Sequence, residues 1–128
     1  MTRADRLANW GWQRVKAGKP AEAIDALREA AALSGSAPAH LKALAVAQAK
    51  ATHVSDSVDT LQRLIKVAPL DIEAWCMLGE LSLDRGDLAT AARALGLCMQ
   101  LDPQKTHPSG LRARALIKRA EKFLKKRV

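Results

Sequence analysis

The sequence contains no tyrosine, a single phenylalanine (Phe123) and three tryptophans among 128 residues. So few aromatics, with β-branched residues also sparse, argue against a β-sandwich or barrel, which leans on aromatic and β-branched cross-strand pairs. Cysteine is scarce: Cys76 and Cys98 are too few for a disulfide framework and suit a reducing, cytoplasmic setting. No apolar run approaches the roughly 18 residues that a membrane-spanning helix needs. The first six residues, Met1-Thr2-Arg3-Ala4-Asp5-Arg6, mix charges and lack the apolar core of a secretory signal. The only histidines are His40, His53 and His107, and none falls in a His-x-x-x-His or Glu-x-x-His spacing. Cys-x-x-Cys, Gly-x-Gly-x-x-Gly and Walker-type loops are missing too, so no metal and no cofactor is expected.

Alanine (25) and leucine (18) supply a third of the chain, and both favour helix. A hydrophobic share of 48% is enough to build a core. The net charge of +8 is uneven: residues 1–37 carry +2, 38–71 carry +1, 72–105 carry −2 and 106–128 carry +7. The basic excess therefore belongs to the last segment. A whole-domain nucleic-acid binder would spread Lys and Arg over one continuous face.

Shifted by 34 residues, the apolar pattern falls on itself twice without a gap. Leu7 lands on Leu41 and Trp75, Trp10 on Leu44 and Leu78, and Gly11 on Ala45 and Gly79. Gly18 lands on Thr52 and Gly86, Ala23 on Ser57 and Ala91, and Leu27 on Leu61 and Leu95. Ala30, Leu33 and Gly35 continue the register through Leu64 and Cys98, Val67 and Leu101, and Pro69 and Pro103. Three- and four-residue apolar spacing within each unit predicts two helices per unit. Glycine marks where first helices stop and proline where helices begin or end. The expected helices are 4–16, 20–34, 38–51, 54–67, 71–84, 88–101 and 108–126.

The third unit reads Trp75-x-x-Leu78-Gly79-x-x-Ser82, Gly86-Asp87, Ala91-x-x-x-Leu95 and Leu101-Asp102-Pro103. This resembles the tetratricopeptide repeat (TPR) closely, and the first unit repeats it in Trp10-Gly11, Gly18, Ala23, Leu27 and Ala30. The second unit is degenerate, with Thr52 at the turn and Ser57 for alanine. In all three the pattern's first-helix aromatic is replaced, by Arg14, Gln48 and Ser82. The resemblance implies an all-α fold: an α-solenoid of three helix-turn-helix units, at about 4–37, 38–71 and 72–105, wound as a right-handed superhelix. With a capping helix at about 108–126 it would form one TPR domain over 1–128.

Small residues allow close helix approach, so Gly11, Ala45 and Gly79 should face Ala23, Ser57 and Ala91. Trp10, Leu27, Trp75, Leu78 and Leu95 should fill the space between units. The capping helix presents Ala113, Leu116, Ile117, Ala120, Phe123 and Leu124 on one side. Its other side carries the basic residues Arg112, Arg114, Lys118, Arg119, Lys122, Lys125 and Lys126, a polar outer face of the kind a repeat array needs at its end.

Nothing in the sequence has the marks of an enzyme: Cys98 falls in a small buried row, and Glu80 and Asp84 share an ordinary solvated helix face. The resemblance implies instead a module that binds another protein or peptide on the concave face lined by first helices. The expected contact residues are Asp5, Ala8, Trp12, Val15 and Lys16, then Ala39, Lys42, Val46, Ala49 and Lys50, then Glu73, Cys76, Glu80, Leu83 and Asp84. Trp12 is the most informative, because Trp10 takes the core row and Trp12 points elsewhere. The Lys/Asn/Arg clamp by which some TPR proteins grip a C-terminal carboxylate is absent, since Ala8, Trp12, Val46, Cys76 and Glu80 stand at the matching places. The groove suits a short, largely apolar segment. Size, repeat count and cap are also similar to the three-repeat translocator chaperones of type III secretion. Two further partners follow from the residues. The basic last helix offers a weak surface for anionic lipid and a poorer one for nucleic acid, with only Phe123 to stack on bases. The edge around Leu7, Trp10 and Trp12 offers a contact for a second copy in a homodimer.

Overall fold

The computed structural model describes residues 1–126, apart from the side chains of Phe123, Leu124 and Lys126. The described residues form seven α-helices and no strand: α1 Arg3–Lys16, α2 Pro20–Leu33, α3 Pro38–Lys50, α4 Val54–Val67, α5 Ile72–Asp84, α6 Leu88–Gln100 and α7 Pro108–Lys126. The boundaries fall within a residue of those the periodicity predicts. None of these helices is long and apolar enough to cross a membrane. The chain divides into two compact units, Met1–Pro69 with α1–α4 and Leu70–Val128 with α5–α7.

The 34-residue repeat is written into the backbone at the first-helix ends. Gly18, Thr52 and Gly86 take left-handed φ values of 79°, 65° and 80°. Around each the same bonds close the helix. Lys19, His53 and Asp87 donate their amides to the carbonyls of Arg14, Gln48 and Ser82, at 2.9, 2.8 and 2.9 Å. That pattern satisfies carbonyls a helix end would otherwise leave open. Thr52 therefore holds the conformation of its glycine counterparts despite its β-branch. The starts are capped individually. Thr2 and Asp5 form a reciprocal capping box on α1, Asp71 Oδ1 accepts from the Ala74 amide, and Asp87 Oδ1 accepts from the Thr90 amide. Pro20 and Pro38 open α2 and α3, where a missing amide hydrogen is harmless.

In the first unit, Leu27, Leu44, Ala23, Ile24, Ala30 and Ala47 form a buried cluster with Ala8 and Val15. A Cβ on Gly11 would lie 2.8 Å from Leu27 Cγ, so the missing side chain lets α1 sit against α2. Between α3 and α4, Ser57 Oγ donates to the Ala45 carbonyl at 2.8 Å, and Thr60 Oγ1 donates to Gln48 Oε1 at 2.7 Å. Gln48 thus fills the place of the pattern's aromatic with a buried hydrogen bond. Arg14, one unit earlier, reaches Glu22 at 3.2 Å. Ser82, one unit later, is buried.

In the second unit, Cys76, Leu95, Cys98, Ala113 and Leu116 are buried together, with Trp75, Leu83 and Ile117 packed around them. A Cβ on Gly79 would meet Leu95 Cδ2 at 2.5 Å. The turn before α7 is organised by Asp102, which is 4% exposed. Its Oδ1 accepts the Thr106 amide at 3.0 Å, and Arg114 donates to its backbone carbonyl at 2.9 Å. Burial works to raise the Asp102 pKa, but the amides of Thr106 and His107 and the charge of Arg114 outweigh it and hold the carboxyl below its ordinary 3.8. Glu80 beside Arg112, and Asp5 beside Thr2, are held low as well. With these groups the folded state binds fewer protons than the unfolded chain. The stability they confer is complete above the unfolded values near 4 and is lost as pH falls through the lowered ones. The urea midpoint should therefore stay level from pH 7 to about 5 and fall below about 4. Asp102→Asn should flatten part of that fall.

Candidate partner-binding surface

In the first unit the expected contact residues separate by depth. Ala8 and Val15 are 9% and 5% exposed and belong to the α1–α2 cluster, so they support the surface from below. Trp12 is 37% exposed, and Lys16, Ala39 and Lys50 are exposed. Lys42, Val46 and Ala49 are half-buried. Trp12 and Val46 hold equivalent positions, 34 residues apart on α1 and α3. Each is an apolar side chain with a lysine four residues further along its helix, Lys16 and Lys50.

Trp10 departs from expectation. It is 48% exposed, whereas Leu44 and Leu78 in the same row are each 1% exposed. Leu44 is buried in the cluster that α2 supplies, and among the described residues no helix packs on the corresponding side of α1.

At one end of this unit a shallow recess of about 470 Å³ is lined by Thr2, Arg3, Asp5, Leu33, Ser34 and His40. His40 Nδ1 lies 3.1 Å from Ser34 Oγ, and its Nε2 lies 3.6 Å from Asp5 Oδ1. The order of residue types is that of a hydrolytic triad, but the serine hydroxyl is committed elsewhere. It donates to the Ala31 carbonyl and accepts the Ala37 amide, joining the end of α2 to the start of α3. What the chain Ser34–His40–Asp5 accomplishes is to tie α1 to α3.

In the second unit α7 lies over the side of α5 from which a groove was expected. Cys76 is 5% exposed, and it and Leu83 pack with Ala113 and Leu116. Glu80 binds the guanidinium of Arg112 through both carboxylate oxygens, one bond being Nε to Oε2 at 2.8 Å. The reason is complementary patterning: the apolar side of α7 needs cover, and α5 offers an apolar row with one acid. Glu73 and Asp84 remain exposed. Burial pushes the Cys76 thiol up, and pushes Cys98 up to about 12, so both are protonated packing groups at neutral pH.

The basic set divides in the same way. Arg112 is taken by Glu80. Arg114 turns toward the end of α6, where Asp102 and the carbonyl of Met99 receive it. Lys118, Arg119, Lys122 and Lys125 stand exposed. Lys126, with Phe123 and Leu124, lies outside the described side chains. Among the described residues no three His, Cys, Asp or Glu side chains gather as metal ligands would.

No protein-family model matches the sequence, and no curated protein matches it. Solved structures do match the fold. The TPR domain of Sgt2 from Aspergillus fumigatus superimposes with a TM-score of 0.86 at 19% identity, over 98% of this chain and 83% of that one. The type III secretion translocator chaperone SycD from Yersinia enterocolitica, in an alternative dimer, gives 0.82 at 17% identity, over 98% and 95%. PcrH in complex with the chaperone binding region of PopB gives 0.80 at 16% identity, over 88% and 92%. With six of the seven helices among the described residues in a 34-residue register, and with this agreement over 88–98% of its length, the chain has the all-α tetratricopeptide-repeat fold.

Proposed function

We propose that this chain is a protein-binding module, an adaptor or chaperone, that holds a short and largely apolar segment of another polypeptide on the first-helix surface of its first unit. The observation that carries the reading is Trp12. An aromatic of this size, more than a third exposed on a helix whose neighbouring inward positions are filled by small residues, supplies rigid apolar area of the kind that dominates binding energy. Val46 repeats the apolar position on α3, and Lys16 and Lys50 suit acidic residues flanking the bound segment. Burial of apolar surface would drive capture, less the cost of ordering the peptide.

The finer reading, a chaperone for a translocator-like hydrophobic segment, is favoured by size. This chain matches 95% of the type III translocator chaperone SycD and 92% of PcrH, the latter captured with the chaperone binding region of PopB.

A random peptide library displayed on phage and panned on the intact protein tests the proposal. The expected result is enrichment of apolar sequences that bind with micromolar Kd. Trp12→Ala should weaken the selected peptides by about 10- to 100-fold, or about 1.4–2.8 kcal/mol, with Val46→Glu similar and the helical circular dichroism unchanged. Selected peptides that bind both variants as tightly as wild type would contradict it.

A further inference from the structure

The outer side of α7 carries charge of a single sign. The helix has seven basic residues and one acid, Glu121. At about 100° per residue, Lys118, Lys122 and Lys125 lie within about 60° of one another, and Leu111 falls on the same line. The row runs about 21 Å from Leu111 to Lys125. All four side chains are exposed, Leu111 by 48%. Arg119, whose charge also reaches Glu80, is exposed on the flank of the row. Among the described residues, Lys118, Lys122 and Lys125 form no ion pair.

Solubility alone does not ask for such a row. α2 exposes Glu22, Asp25, Arg28 and Glu29, and α4 exposes Asp56, Asp59, Arg63 and Lys66, with both signs present in each. On α7, Lys118 and Lys122 are four residues apart and Lys122 and Lys125 three, and like charges at those spacings weaken a helix. A cost that the other surface helices avoid points to a ligand of opposite charge.

The kind of cation left free selects that ligand. Arginine presents a planar fork that grips a carboxylate or phosphate in fixed geometry. Arg112 is taken by Glu80, and Arg114 by Asp102 and the Met99 carbonyl. What remains is mostly lysine, a compact charge on a flexible stem that responds to the density of opposite charge and not to its arrangement. Among the described side chains α7 has no aromatic on which bases could stack. Its apolar side cannot turn outward, because Ala113 and Leu116, 0% and 5% exposed, are packed with Cys76, Leu95 and Cys98.

We propose that the outer row of α7, Lys118, Lys122 and Lys125 with Arg119 beside them, rests on the surface of a lipid bilayer containing anionic headgroups, without insertion of the helix. A bilayer presents many anions in one plane and in no fixed pattern, which is what lysines along one exposed line match. Each basic residue near such a surface multiplies the partition constant by about fivefold, so four give a preference of roughly 10²–10³-fold for an anionic over a neutral surface. Leu111 adds a shallow apolar contact at one end of the row.

Flotation of the intact protein with lipid vesicles is the test. With about 30 mol% phosphatidylserine in phosphatidylcholine, at about 0.05 M salt, the protein should float, and with phosphatidylcholine alone it should not. Raising the salt to about 0.5 M should release it. Phosphatidylglycerol at equal mole fraction should serve as well as phosphatidylserine. Soluble glycerophosphoserine at the same headgroup concentration should not compete, because a charged surface and not a single headgroup is recognised. The double variant Lys118→Gln/Lys122→Gln should lose about 25-fold in partition, whereas Lys118→Arg/Lys122→Arg should keep it. Trp12→Ala should float like wild type, which separates this surface from the one proposed for the peptide. Three results would overturn the proposal: equal flotation with neutral and anionic vesicles, unaltered partition in the glutamine pair, or single-stranded RNA or polyglutamate stripping the protein from the vesicles at equal anionic charge.

Discussion

Truncating Leu27 to alanine should cost the protein about 3–4 kcal/mol, measured by urea unfolding at neutral pH. Leu27 is fully buried between Gly11 on α1 and the α2-to-α3 contact, where Leu44 and Ala47 lie in the same cluster. Its removal empties the space that the glycine makes available, and the surrounding alanines are too short to refill it. The two positions should be coupled. Gly11→Ala alone puts a Cβ 2.8 Å from Leu27 Cγ and should destabilise, whereas in the Leu27→Ala background it should be neutral or favourable.

Gly79→Ala and Gly96→Ala should have opposite signs. At Gly79 a Cβ would fall 2.5 and 2.6 Å from Leu95 Cδ2 and Cγ and 3.2 Å from the Leu95 backbone nitrogen. Leu95 is 2% exposed and has nowhere to move. Overpacking of about 3 kcal/mol, offset by about 1 kcal/mol of helix propensity, leaves a net loss of about 2 kcal/mol. Gly96 is also helical, but a Cβ there meets nothing within 4 Å. Its replacement should raise stability by about 0.5–1 kcal/mol. Thermal unfolding of both variants beside wild type reads the difference.

Those two glycines also show what was legible in the sequence. Spacing placed Gly79 in the small row at the crossing of two helices, and periodicity found every helix to within a residue. Punctuation foretold the turns at Gly18 and Gly86, and register alone carried Thr52 into the same conformation. Periodicity assigns a side chain to a side of its helix but not to a partner. Glu80 and Arg112 were read as belonging to separate surfaces, a groove and a basic flank, and their pairing across 32 residues had no local signal. Asp102 looked like part of a helix end, and its role depends on amides and an arginine brought in by the following turn. Trp10 was misjudged because its row is buried at Leu44, where α2 is the neighbouring helix. A repeat pattern states what a position needs and not whether the molecule supplies it. The polar pairs at Gln48 and Arg14 were visible only as departures from a pattern.

Amide hydrogen exchange on the intact protein, with and without a library-selected apolar peptide, tests the capture of a polypeptide most directly. The account predicts added protection concentrated in α1 around Trp12–Lys16 and in α3 around Lys42–Lys50, reduced in Trp12→Ala at the same peptide concentration. Protection confined to α7, or none at saturating peptide, would contradict it.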